Sequence, residues 1–62
     1  MDVGQRVHYD NGHGKIENGI VKSISDKENV FVVYNCGGNW NHYQEYTAAR
    51  TRITDLKLGW IL

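Results

Sequence analysis

Gly19–Ser25 reads GIVKSIS, Asp26–Asn29 reads DKEN, and Val30–Tyr34 reads VFVVY. The first segment is rich in β-branched residues, which suits a strand. The second is polar and short, as a hairpin connection is. The third carries no charged residue and is bounded by polar segments, so it fits a strand covered on both faces. Such a strand belongs at the centre of a sheet. The hairpin therefore sets the middle of an all-β domain.

Toward the N-terminus, Val3, Val7 and Tyr9 alternate with Arg6 and His8, the period of a half-buried strand. Asp10-Asn11-Gly12, followed by His13 and Gly14, marks a turn. Toward the C-terminus, Tyr46 to Thr51 alternates threonine with small residues and reads as a fourth strand. Ile53-Thr54-Asp55 supplies a tight turn. Leu56, Leu58, Trp60 and Leu62 then alternate with Lys57, Gly59 and Ile61, which predicts a closing strand that buries one face. No helix, proline, repeat or linker interrupts the pattern. Five short strands in 62 residues predict one domain, residues 1–62, folded as a small, strongly bent barrel.

A domain of this length buries only about 60% of the surface its unfolded chain exposes. Cys36 is the single cysteine and has no partner for a disulfide within the chain. Neither a CxxC nor an HxxxH pair is present, so structural zinc is not expected, and no cofactor is indicated. Seven basic residues balance seven acidic ones. The balance persists locally, with four basic and five acidic in residues 1–35 and three and two in residues 36–62. This is not the profile of a polyanion binder. A lone cysteine and the lack of an apolar N-terminal run point to the cytoplasm. No stretch approaches the ~18 to 20 apolar residues that cross a bilayer.

Gly4-Gln5-Arg6-Val7, then Gly12 and Gly14, then Gly19-Ile20-Val21-Lys22-Ser23-Ile24 and Val30-Phe31-Val32-Val33 resemble a KOW or Tudor-like SH3-fold barrel. In those modules a Gly-x-x-Val strand leads through a glycine-punctuated loop to a Gly-x-Val strand. The resemblance covers residues 4–34 and implies a five-stranded SH3-like barrel with a long loop between its third and fourth strands. The Asp55-Leu56-x-x-Gly59-Trp60 ending resembles small uncharacterised proteins of bacteriophage and prophage origin. KOW-type modules commonly contact RNA or partner proteins, and Tudor-like relatives hold methylated side chains in aromatic cages. Here the loops expected to face RNA contain Asp10, Glu17, Asp26 and Glu28, against Lys15, Lys22, Arg50 and Arg52. Phosphate binding needs clustered cations. The resemblance thus speaks for the fold more than for nucleic acid.

The long connection after Tyr34 is the expected contact surface, because long ordered loops in compact domains are usually functional. It carries Trp40, His42, Tyr43 and Tyr46 among amides. Their rings either plug an open barrel end or offer rigid amphipathic surface to a partner. The expectation is that at least two of Trp40, Tyr43 and Tyr46 lie partly exposed around one concavity. Arg50 and Arg52 fall on one face of the fourth strand and suit an anionic partner; the alternative is a solvated pair guarding a sheet edge. Gly37-Gly38 predicts a sharp turn. Cys36, His42 and Asp55 could be imagined as nucleophile, base and orienting acid, but a free cysteine ending an apolar strand is more often a small buried hydrophobe. No enzyme is expected. His8 and His13 are read as solvent-facing.

The leading function is a non-catalytic interaction module that binds a protein partner, or another copy of itself, through residues 36–46 with Arg50 and Arg52. A phage setting would suit redirection of a host machine. The second is a small-ligand or nucleotide binder in which Trp40, Tyr43 or Tyr46 stacks on a base and an arginine meets phosphate. The third is a KOW-like RNA-binding module. A thin core, the aromatic loop and the apolar Gly59–Leu62 end favour a homo-oligomer.

Overall fold

The central hairpin is fastened by Asp26. Its Oδ1 accepts the backbone N–H groups of Glu28 (2.8 Å) and Asn29 (2.9 Å), and the Asn29 side-chain amide at 3.0 Å. With these donors satisfied, the chain reverses and the flanking segments leave the turn as antiparallel neighbours. The computed structural model describes residues 1–61. The strands are β1 (Arg6–Asp10), β2 (Ile16–Ile24), β3 (Asn29–Val33), β4 (Ala49–Arg52) and β5 (Leu56–Leu58). They form one antiparallel sheet in the order β4-β3-β2-β1-β5. The protein is thus all-β, as the sequence predicts, but the sheet does not close and β4 and β5 are its edges.

At nine residues, β2 is the longest strand and pairs with both β1 and β3. Its register against β3 shifts between Val21 and Ser23, so Lys22 is the extra residue of a bulge. A bulge bends its strand and increases the local twist. The inner, concave face gathers Val7, Val21, Val30, Val32 and Leu56, with Tyr9, Tyr34 and Ile53 packed against them. Burying each aliphatic side chain contributes about 1.5 to 3 kcal/mol.

The outer face is covered as well. Ile20, Val33 and His8 point away from the valine cluster by strand alternation, yet all three are buried. The covering comes from the segment after β3 and from the chain after β5. Trp40–Glu45 forms two 3₁₀ turns joined at His42, whose φ/ψ of −114°/25° is not helical. Gly59, at φ 84°, ends β5 and turns the following residues back across β1 and β2. A further 3₁₀ turn, Ile53–Asp55, links β4 to β5 where the sequence predicts a tight turn.

Several boundaries differ from those read in the sequence. Ile16–Asn18 join β2 because the β1–β2 turn is tighter than expected. Gly12 N–H donates to Asp10 Oδ1 and His13 N–H to Asn11 Oδ1, so pairing resumes at Asp10↔Ile16. Val3 lies outside β1 and is exposed, and β4 begins at Ala49 rather than Tyr46. The closing strand stops at Leu58, which is 65% exposed at the sheet edge. Leu62 lies outside the described residues. Among those described, no helix is long and apolar enough to cross a membrane.

Candidate functional site

Tyr9 and Tyr34 continue the inner face beyond the valines, at the mouth of the curled sheet. Tyr9 sits near the end of β1, and Tyr34 follows β3. Their rings meet edge to face, with centroids 6.3 Å apart and planes at 79°, a favoured aromatic geometry. Thr51, on β4, is buried next to them. Its Oγ1 lies within hydrogen-bond reach of the Ala49 carbonyl, at 3.2 Å. The Tyr34 hydroxyl and Thr51 Oγ1 share a hydrogen bond of 2.8 Å in which either can donate. Burial pushes the Tyr34 hydroxyl above its ordinary pKa; the Thr51 bond opposes that, while the Glu17 carboxylate, Tyr9 and the Asp55 carboxylate add to it. Tyr34 is a neutral phenol at physiological pH.

Around these rings a concavity of about 580 Å³ opens, lined also by Asn11, Lys15 and Glu17 from the β1–β2 side and by Arg50, Arg52 and Asp55 from the β4–β5 side. A smaller one of about 350 Å³, beside Lys27, Glu28, Ile53 and Thr54, has Arg52 in its wall too. Arg52 thus stands between two hollows of one groove. The charges are mixed. Lys15 pairs with Glu17 at 3.3 Å. Arg50 reaches the central hairpin, donating to Asp26 Oδ2 at 2.8 Å and to Ser25 Oγ at 3.2 Å. Neither Arg52 nor Asp55 belongs to any ion pair among the described residues.

The aromatic loop lies elsewhere. Trp40, Tyr43 and Tyr46 are half-buried, and none of them lines either hollow. The 3₁₀ turns lay this segment against β2. Trp40 packs on Trp60 with ring centroids 4.8 Å apart, and the Arg6 guanidinium lies 4.4 Å from the Trp60 ring centre. The Trp60 indole N–H donates to the Gly19 carbonyl at 2.7 Å. Lys22, the bulge residue, donates to the Tyr46 carbonyl at 2.7 Å. Asn39 donates to the Tyr46 hydroxyl, and Gln44 to the Tyr43 hydroxyl. These bonds tie the loop to the β2 bulge and to itself.

His42 is exposed and pairs with Glu45 at 2.9 Å, while Cys36 is buried, with 3% of its surface accessible. Gly37 and Gly38 take φ of 60° and 84° and turn the chain out of β3, as expected of paired glycines. His8 corrects the sequence reading. It is 7% exposed, because the returning chain covers it, and its Nδ1 donates to the Gly59 carbonyl at 2.8 Å. His13 is exposed.

Of the residues singled out in the sequence, Arg50 and Arg52 reach the groove. Trp40, His42, Tyr43 and Tyr46 do not. Tyr9 and Tyr34 were read as strand residues only. Their signal was that each ends an inward-facing run beside a turn. No family model, curated protein or solved structure matches the chain.

Proposed function

We propose that the chain is an SH3-like small barrel, of the KOW/Tudor-like kind, that acts as a non-catalytic interaction module and seats an extended segment of a partner protein in the groove along β4. The fold part of this reading is supported by a meander whose last strand returns beside its first, by the 3₁₀ turn before β5, and by a long bulged β2, the device with which small sheets bend toward closure. The groove carries the functional part: two adjoining hollows share Arg52, the larger floored by the Tyr9–Tyr34 pair. An elongated, shallow site suits an extended chain better than an enclosed small molecule. Nucleic acid fits less well, since three cations in the larger hollow face two carboxylates and two of those cations are already paired.

The test is selection of a random peptide library on the immobilised full chain, followed by mapping of bound peptides through amide chemical shifts. Shifts should centre on Tyr9, Tyr34, Thr51 and Arg52. Enriched peptides that perturb only Trp40–Tyr46, or a library that yields no binder, would remove the reading.

A further inference from the structure

The groove's polar pattern restricts what that partner segment can be, an inference that rests on the interaction-module reading. At the Tyr34 end the phenol oxygen, bonded to Thr51, still offers a lone pair to an incoming donor. Asp55 lines the same hollow and makes no ion pair among the described residues. Phenol oxygen and carboxylate together call for a donor-rich cation, and the two tyrosine rings add attraction for positive charge. The Arg52 end is the opposite. Its guanidinium has donors only, is not engaged in an ion pair, and lies where the two hollows meet. Lys15 and Arg50 cannot exchange these roles, because Glu17 and Asp26 already hold them.

We infer that the groove recognises an extended protein segment bearing a basic side chain, lysine or arginine, seated against Tyr34 and Asp55, and an acidic side chain held by Arg52. Charge complementarity of this alternating kind fixes the direction in which the segment lies. It also excludes uniformly acidic or uniformly basic chains, since each would bring like charge to one end of the site.

The experiment takes the groove-mapped peptides from the library and measures their affinity for the wild-type chain, Arg52→Glu, Asp55→Lys and the double variant. Both positions are exposed, and an unchanged thermal midpoint confirms that each variant folds. Each reversal should weaken binding about tenfold, the scale of one charge-assisted contact. A peptide with its basic and acidic residues exchanged should prefer the double variant. Groove-bound peptides that bind all four proteins equally would overturn this inference and leave the module reading standing. If no peptide maps to the groove, both fall.

Discussion

Gly19 carries more of the architecture than its size suggests. A Cβ built there would lie 2.5 Å from Val32 Cγ1 and 2.9 Å from the Val33 carbonyl. Its own carbonyl also anchors the Trp60 indole. Gly19→Ala should therefore overpack the junction of β2 and β3 and cost about 1 to 3 kcal/mol, read as a lower urea midpoint with an unchanged slope. Asp26 gives the acid side of the stability profile. The Glu28 backbone N–H, then the Asn29 amide and the Arg50 guanidinium, hold its carboxyl at about 2, below the ordinary 3.8. A pKa depressed in the folded state contributes stability that is complete above the unfolded value and is lost as pH falls through the folded one. Unfolding midpoints should drop as pH is lowered from about 4 toward 2, and Asp26→Asn should flatten that drop. A slope identical in the two proteins would show that other carboxylates govern it. Asp10, held low chiefly by the Gly12 backbone N–H and also by Lys57, is the remaining contributor with a resolved shift.

At the level of elements, the 3₁₀ segment and the chain after β5 act together as the cover of the outer face. Trp60→Ala would remove the Trp40 packing, the Arg6 contact and the bond to Gly19, and should cost about 2 to 3 kcal/mol. The same substitution should leave peptide affinity for the groove unchanged within twofold, because the stack lies off it. The central hairpin, the β1–β2 turn and the Ile53–Asp55 turn were legible in the sequence because each depends on neighbours: Asp26 on Asn29, Asp10 on Gly12, valine on valine two residues on. What escaped depends on residues far apart. His8 looks solvent-facing from its place in the alternation, and only a residue 51 positions later, Gly59, buries it. The Trp40 loop is likewise placed by distant residues, Trp60 against Trp40 and Lys22 on the Tyr46 carbonyl. The candidate groove was legible only in its arginines, since Tyr9 and Tyr34 are 25 residues apart and the fold of the sheet brings them together.

On the scale of the whole molecule, two thin layers lie on either side of one sheet, in a body of 28 × 27 × 16 Å. Cys36 belongs to the outer layer, so its thiol reports on the integrity of that layer. Iodoacetamide should label it at least a hundredfold more slowly in native protein than in urea, because a thiol 97% hidden reacts only through opening. Fast labelling in native buffer would mean that the cover lifts readily. The strand order carries a separate implication. β2, β3 and β4 each pair with a sequence neighbour, whereas β5 meets β1 across nearly the whole chain, through Val7↔Leu58, His8↔Lys57 and Tyr9↔Leu56. Three paired residues at an edge make the least protected seam of the sheet. Native-state hydrogen exchange should rank the β5 amides fastest and those of β2 and β3 slowest, with exchange at the seam insensitive to mild denaturant, as local fraying is. Because Tyr9 belongs to both the seam and the floor of the groove, a bound segment should slow exchange at Leu56–Leu58 without touching them.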